Sequence, residues 1–579
     1  MIVLGLSGAL GHDPSAALLV DGDVVAAAEE ERFTRVKHAQ KCMPLEAAQY
    51  CLDAAGIDPG RLDAVAFPYA PVSVFGPARW HYARRHWYAP DRALDAILNG
   101  NRRYRRNRSR VLALGDTLGF DWTRTTFVPV EHHLAHASSA YHLSGFQGAT
   151  AILGVDGKGE YATTFFGVGE AGAITRIREF YDPDSLAGVY GALTEYLGFR
   201  MLDGEYKVMG MAPYGDPERF DFAPLLGCRG GKLRVDTRLV NTVGLRRYRD
   251  NGRGRFFGDG LVRRLGPPRQ GDDADEPYVH HAAAMQAAYE EVCLDLIDHY
   301  LGDVLAEGDE GGKLVFAGGG ALNVKLNQRI LARPDVDELF VQPAAGDSGT
   351  ALGAATYVAN AGGDRVAAMD HVYLGPAFST AECRAAIDRC DGVSVEQLDD
   401  VPGRAAQLLA AGHPLAWFQG RMEFGPRALG ARSILGCPGV PGMAARINAE
   451  IKYRERWRPF CPSMTEDVAE SILGTRHPAP FMTVTFDVDA AWRKRIPEVV
   501  HVDGTARAQV VTPQANRRYH ALLERLGDLT GAPVVLNTSL NRRGEPIACT
   551  PEDALAIFAG SDLRYLVMED LLVAKRPEG

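Results

Sequence analysis

Cysteine is scarce in this sequence, and none of the nine stands in a CxxC pair. Cys42, Cys51, Cys228, Cys293, Cys383, Cys390, Cys437, Cys461 and Cys549 offer neither a disulfide framework nor a zinc knuckle. They fit reduced thiols in a cytosolic enzyme. No apolar run reaches the length of a membrane span, and an apolar strand opens the chain with no basic leader ahead of it. A cytoplasmic location is therefore expected. Positive charge is in deficit too, with 63 Lys and Arg against 73 Asp and Glu, a net charge of −10. That balance argues against nucleic acid as the main partner. The remainder is an ordinary globular composition, 46% hydrophobic and 23% charged. At 579 residues the chain exceeds one core, so two or more domains are expected.

Histidine, by contrast, is concentrated. Residues 130–142 read VEHHLAHASSAYH and hold four of the 16 histidines. On a helix, His132 and His136 share one face, their Cβ atoms roughly 5–6 Å apart, and two imidazoles can converge on one ion. Zincin proteases use this spacing but require Glu directly after the first His. Here that place is His133, which excludes the protease. A His-rich helix end satisfied by backbone is the alternative.

Along the chain, an apolar strand at 2–6 runs into a Gly-rich polar turn at 7–15, and strands at 16–20 and 24–28 flank Asp21-Gly22, a hairpin signal. Such a short loop can hold a nucleotide phosphate in actin-like and sugar-kinase-like folds. The run 29–38, EEERFTRVKH, is either a solvated turn or a substrate-facing loop. Residues 80–110 interleave Arg with Tyr and Trp and end in RRYRRNRSR. An RNA surface is one reading; with an acidic chain and no accompanying motif, a solvated helical insertion beside a substrate cleft is favoured. A second strand, Gly-rich turn, strand pattern occupies 150–167, with Asp156 and Gly157 in its turn. Two such halves mark the actin-like superfold. Residues 246–276 read as a further insertion, and 281–301 as a long amphipathic helix. Gly318, Gly319, Gly320 and Asn323 lie between a strand and a helix, where exposed backbone amides attract phosphate or ribose. Asp347 is either an N-cap or a carboxylate ligand facing the His pair.

Composition changes near residue 371. Arg427, Arg432, Lys452, Arg454, Arg458 and Arg507 then sit beside Pro and Gly in apolar surroundings, ahead of Asn537, Ser539 and Asn541. Arg in such places suits bidentate anion binding; surface charge is the alternative.

Taken together, GHDPSAALL, AEEERFTRVKH, EHHLAHASSA, VDGKGEYATT, GEYKVMGMAPYG, AGGGALN, QPAAGDSGTALG, GRMEFGPRALGARSIL, NAEIKYRERWRPFCPS, HVDGTARAQ and LNTSLN resemble the NodU/CmcH-type O-carbamoyltransferases over nearly the whole length. The two insertions match less well, and acceptor specificity is expected there. The resemblance implies an α/β protein of two domains. Residues 1–370 would form an actin-like, threonylcarbamoyl-transferase-like domain that transfers the carbamoyl group and holds a metal. Residues 371–579 would form a YrdC-like domain that makes carbamoyl-adenylate from carbamoyl phosphate and ATP. It further implies a divalent transition metal, Fe(II) foremost, on His132, His136 and Asp347 with Asp156 a further ligand, and Mg2+ with ATP. Two His with carboxylates is independently a plausible Fe(II) set. Gly157, Glu160, Glu205, Lys207, Gly318, Gly319, Gly320 and Asn323 would hold the nucleotide or adenylate in the first domain. Arg427, Lys452, Arg454, Arg458, Arg507, Asn537 and Ser539 would hold carbamoyl phosphate and ATP in the second, with Asn541 another candidate. His12 is the candidate base and Lys37 a candidate substrate contact. The expected partners are ATP, carbamoyl phosphate, a hydroxylated natural product such as an antibiotic or toxin, and a second copy in a homodimer, with no nucleic acid and no membrane. A tRNA threonylcarbamoyl-type transferase and an actin-like sugar kinase are the rival readings.

Overall fold

The computed structural model describes residues 1–8, 11–72, 76–87, 90–240, 255–271, 275–306, 311–455 and 457–576. Part of the expected insertion at 246–276 therefore lies outside the described residues. The chain falls into two compact units. The first comprises Met1–Val25, Gln40–Leu52 and Gly56–Ala368; the second comprises Ala26–Ala39, Asp53–Ala55 and Met369–Gly579.

Strands β1 (Ile2–Leu6), β2 (Ser15–Val20), β3 (Asp23–Glu29), β4 (Ala64–Phe67) and β5 (Thr126–Pro129), all of the first unit except Ala26–Glu29 of β3, build a sheet ordered β3-β2-β1-β4-β5. β1 runs antiparallel to β2 and parallel to β4. The Asp21-Gly22 turn has φ of 52° and 91°, the left-handed pair a tight hairpin needs. A second sheet repeats the plan with β6 (Thr150–Val155), β7 (Ala162–Glu170) and β8 (Ala173–Tyr181); a small hairpin, β9 (Leu226–Arg229) with β10 (Lys232–Val235), intervenes before β11 (Lys313–Ala317) and β12 (Glu338–Val341). Its order is β12-β11-β6-β7-β8, again two antiparallel neighbours and two parallel ones about a central strand. This duplicated sheet is the actin-like fold. β1, β4, β6 and β11 are buried almost throughout, as strands covered on both faces must be.

Two helices made of small residues, His132–Ser144 and Gly349–Ala361, cross in this unit. At Gly353 an added Cβ would lie 1.8 Å from the Ala135 carbonyl oxygen, so only glycine permits the approach. The basic insertion is helical, as expected: Pro77–Arg85, Pro90–Asn99 and Arg102–Leu118. The long amphipathic helix runs Tyr278–Ala306, longer than its apolar spacing suggests.

The second unit surrounds an eight-stranded mixed sheet. Its strands are β13 (Val393–Gln397), β14 (Leu415–Phe418), β15 (Arg432–Gly436), β16 (Cys461–Thr465), β19 (Gln509–Val511), β20 (Val534–Ser539), β21 (Tyr565–Met568) and β22 (Leu571–Lys575); β17 (Phe486–Asp487) and β18 (Thr505–Ala506) pair separately. Their order is β13-β22-β21-β14-β15-β20-β16-β19. Trp417, Leu435, Tyr519, Val535 and Val567 form part of its core.

The charged run at 29–38 is not a solvated turn. Glu29, Glu30, Glu31 and Arg32 are all buried. Arg32 donates to the Gly425 carbonyl at 2.9 Å, and the Gly425 amide donates to Glu29 at 2.8 Å. Arg35 donates to the carbonyls of Ile547 and Pro546 and pairs with Asp553 at 3.2 Å. Pairing of opposite charges is what a buried charged segment requires, although Glu29 Oε2 and Arg32 Nε find no hydrogen-bond partner among the described residues.

Candidate functional site

The helix crossing sets the geometry of the first site. Its first helix carries His132 and His136 at one end, and Asp347 stands just before the second. The Ser15 hydroxyl donates to the Ser348 carbonyl at 2.6 Å, fixing that turn against β2. Asp156, directly after β6, accepts from the amides of Gly319 at 3.0 Å and Lys158 at 3.2 Å. His132 Nε2 thereby lies 3.1 Å from His136 Nε2, 3.5 Å from Asp156 and 3.6 Å from Asp347; His136 Nε2 lies 3.9 Å from Asp347. One ligand atom from each of the four falls within 4.8 Å of all the others. Asp347 is thus not the N-cap. Its carboxyl faces the histidines, and Ser348 takes the cap position.

The donor set passes a simple test for a metal. Two imidazole nitrogens face each other and two carboxylates converge on the same volume, an arrangement that is repulsive for lone pairs unless protons or a cation lie between them. Burial, followed by the positive field of His132, holds His136 well below the usual imidazole range, so its ring is neutral and able to ligate. Burial also opposes charge on His132, but the Asp156 hydrogen bond and Asp347 outweigh it and lift that ring to about 9. Burial would raise Asp156; His132 and the neighbouring imidazoles pull it well below the carboxylate range instead. Asp347 is raised, by burial first and by Asp156 as a like charge. Two nitrogens with two oxygens suit a divalent first-row ion such as Fe(II). Such an ion acts as a Lewis acid toward a carbonyl or phosphoryl oxygen.

His12 lies beside this cluster, with Nε2 3.6 Å from Asp347 and Nδ1 2.8 Å from Asp13. Burial opposes its charge, but Asp347 and Asp13 raise it to about 10. It is an imidazolium in this state. Glu160 accepts from the amides of Ala70 at 2.7 Å and His132 at 3.3 Å, so it orients the start of the His helix. Burial raises its pKa.

The other expected nucleotide contacts divide. Gly318 has φ of 91°, and a Cβ there would lie 2.3 Å from the Val155 carbonyl oxygen. Its Gly-rich turn touches the metal cluster through the Gly319–Asp156 bond, while a Cβ on Gly320 would meet the Tyr289 hydroxyl at 2.6 Å. Gly157 offers its carbonyl to Ser185 at 2.9 Å. Asn323 is committed within the protein: it caps the helix Val324–Leu331 and pairs with Gln286 at 3.0 Å. Glu205 folds back on its own turn, accepting from the amides of Leu202 and Gly204. Lys207 lies over the Phe199 ring at 5.2 Å.

In the second unit the polar centre forms at the end of β20. Lys452, only 5% exposed, donates to the Ser539 carbonyl, to the Ser539 hydroxyl at 3.2 Å and to Asn541 Oδ1 at 2.8 Å. Burial and then the fields of Arg454, Arg458 and Lys37 hold its ammonium well below the usual lysine range. Lys37 therefore belongs with this centre, in a different unit from His12. Arg454 donates to Asn448 at 2.8 Å and stacks on Phe460 at 4.2 Å; Arg458 lies 3.4 Å from Glu455. Arg507 donates to Cys461 Sγ at 2.9 Å, and Cys461 pairs with Asn537 across β16 and β20. Asn537 donates to Ser463 at 3.1 Å and to the carbonyl of Ala428, the neighbour of half-buried Arg427, at 3.2 Å. Arg432 is different. It is fully buried and donates to the carbonyls of Gln419, Gly420, Ala431 and Pro376, so it is a structural pin.

The sequence reading passed over Asp13, Ser463, Gln509 and Cys461. Asp13 follows His12 directly, which was a usable signal; the other three become visible only through strand pairing.

Two family models match the chain. The family model described as carbamoyltransferase N-terminus matches residues 2–356, and that described as carbamoyltransferase C-terminus matches 406–575. The chain is 37% identical to an uncharacterized protein, sll1178, of Synechocystis, over 99% of this chain and 96% of that one. It is 36% identical to nodulation protein NolNO of Sinorhizobium fredii, over 100% of this chain and 83% of that one. Identity to nodulation protein NolO of Bradyrhizobium diazoefficiens is 35%, over 77% of this chain and 79% of that one. The chain belongs to the carbamoyltransferase family and is a carbamoyltransferase.

Proposed function

We propose that this enzyme is an ATP-dependent O-carbamoyltransferase working in two half-reactions. In the second unit, water cleaves carbamoyl phosphate to carbamate and inorganic phosphate, and a carbamate oxygen then attacks the α-phosphorus of ATP, giving carbamoyl-adenylate and releasing pyrophosphate. In the first, the carbamoyl group passes to a hydroxyl of a small natural product, and AMP leaves. The observation that carries this reading is Lys452, an amine held in a buried site by protein acceptors while the fields of three further cations oppose its charge. A pocket of that charge is stabilised by a bound polyanion, and the two substrates of the first half-reaction are both phosphates. Arg427, Arg507, Ser539 and Asn541 complete the proposed pocket.

His132, His136, Asp156 and Asp347 would hold Fe(II) or a similar ion, which supplies charge stabilisation at the carbonyl. The chain's own part is to fix that ligand set through the helix crossing and to hold a proton at His12. With Asp347 and Asp13 beside it, His12 keeps that proton; it can accept one from the acceptor hydroxyl only where their charge is otherwise countered. Mg2+ would accompany ATP. The decisive experiment is pyrophosphate release from ATP with and without carbamoyl phosphate. Release that ignores carbamoyl phosphate would favour a kinase-like or regulatory reading instead.

A further inference from the structure

The basic insertion reaches the first site at Arg103. Arg103 lies in the helix Arg102–Leu118, with its guanidinium over the Tyr69 ring at 5.6 Å. Its Nη2 is 3.9 Å from where a Cβ would stand on Gly11, the neighbour of His12. Tyr69 leads to Ala70, whose amide donates to Glu160, and Glu160 in turn accepts from the His132 amide. On the opposite edge of the same loop, Arg110 donates to the Lys41 carbonyl and the Lys41 amide to that of Gly11. The helix therefore lies along the loop that carries His12 and Asp13, and Arg103 stands at the wall of the site.

The charge at that wall is lopsided. Six arginines occupy positions 102, 103, 105, 106, 108 and 110, all exposed, and no acidic residue occurs from 96 to 115. Among the described residues Arg103 makes no ion pair with a carboxylate. A ring face leaves most of a guanidinium's charge uncancelled, and the hydrogen bond between Arg103 and the Tyr69 hydroxyl takes up only part of its donor fork. The site's carboxylates, in contrast, are engaged: Asp156 and Asp347 with the histidines, Asp13 with His12, Glu160 with two amides. The unanswered charge near the transfer centre is positive.

We propose that Arg103 is an acceptor-specificity residue and that the acceptor hydroxyl is carried by a molecule bearing an anionic group, a phosphate, sulfate or carboxylate, rather than by a polycation. The proposal rests on the carbamoyl-transfer reading above. A polyamine acceptor would meet an arginine helix beside the catalytic loop, whereas an anion receives a bidentate, charge-assisted partner there.

The test is calorimetric titration of the full-length protein with glucose, glucosamine and glucose 6-phosphate as probes, and with AMP, because the same guanidinium could serve the phosphate of the adenylate. Glucose 6-phosphate should bind at least about 10-fold more tightly than either other sugar, the value of one charge-assisted hydrogen bond. Arg103→Gln should remove that preference, Arg103→Lys should restore part of it, and AMP binding should be the same in all three proteins. Equal binding of the sugars, no measurable binding of the sugar phosphate, tighter binding of glucosamine, or a preference untouched by Arg103→Gln overturns the proposal. So does an Arg103→Gln protein that loses AMP instead, since the residue would then serve the adenylate. Pyrophosphate release by the same wild-type preparation keeps the two readings apart. Its absence overturns the two-step reaction and with it the identity of the bound anion as acceptor; its presence without an anion preference overturns this inference alone.

Discussion

Replacing Lys452 with methionine, similar in length but uncharged, separates what the residue does for the reaction from what it costs the fold. In the folded protein its ammonium is held well below 10.5, by burial and then by Arg454, Arg458 and Lys37. The unfolded chain therefore binds a proton more readily than the folded one, so this group's contribution to stability improves as pH rises from the depressed folded value toward 10.5. At neutral pH the residue opposes folding. Methionine removes that opposition but strips donors from Ser539 and Asn541, a loss of about 1–3 kcal/mol for each buried acceptor left unmet. The two effects oppose, so the melting temperature should move by only a few degrees. The reaction has no such compensation. One charge-assisted contact to phosphate is worth about 1.5–3 kcal/mol, so kcat/KM for pyrophosphate release should fall about 10- to 150-fold. Carbamoyl phosphate should also draw a proton onto the wild-type lysine, since an adjacent anion raises its pKa. That uptake shows as a binding enthalpy that varies with the ionisation enthalpy of the buffer, and it should vanish in the variant. A folded Lys452→Met protein that releases pyrophosphate at the wild-type rate would refute the assignment.

Protein purified without chelator should contain about one transition-metal ion per chain by elemental analysis, and full metal content in a His136→Ala variant would mean the site is elsewhere. A His132→Ala or Asp347→Ala protein should still release pyrophosphate when given carbamoyl phosphate and ATP, yet fail to carbamoylate any acceptor; joint loss of both steps in a folded variant would point to one composite site. Gly318→Ala places a Cβ 2.3 Å from the Val155 carbonyl oxygen at a φ of 91°, and should cost about 1–3 kcal/mol in chemical denaturation. Unchanged stability would show that the turn can relax.

The His pair was legible because a helix repeats every 3.6 residues, so HxxxH fixes one face without any knowledge of the fold. Asp347 was legible only as an alternative to a cap. What selects between the two is the close approach of Gly353 to Ala135, a contact between segments more than two hundred residues apart. The duplicated strand, turn, strand pattern announced the two sheets, whereas helix ends drifted, as at Tyr278–Ala306, because terminal turns carry little periodic signal. Arginine was the hardest to read. Arg432 and Arg427 lie in one motif, yet Arg432 is consumed by four carbonyls while Arg427 is half-buried beside the anion centre. Spacing says nothing about which of two arginines a neighbouring chain will saturate. The run at 29–38 stayed open between a solvated turn and a substrate-facing loop for a related reason: charge density does not show burial until the partners, Gly425 and Asp553, are known.

That run has a consequence for how the protein comes into being. Ala26–Ala39 is made about 330 residues ahead of Met369–Gly579, yet the two belong, with Asp53–Ala55, to one unit. Arg32 meets Glu29 and Glu31 within the segment itself, but its bond to Gly425, the bond of Arg35 to Ile547 and the ion pair of Arg35 with Asp553 must wait until those residues are synthesised. At about 5–20 residues per second, that interval lasts on the order of half a minute to two minutes. The second unit is thus not a module that can be cut out at residue 369 or grafted as a contiguous gene fragment. The segment Ala26–Ala39 has to travel with it, and an expression trial of residues 369–579 alone would leave Gly425, Ile547 and Asp553 without Arg32 and Arg35.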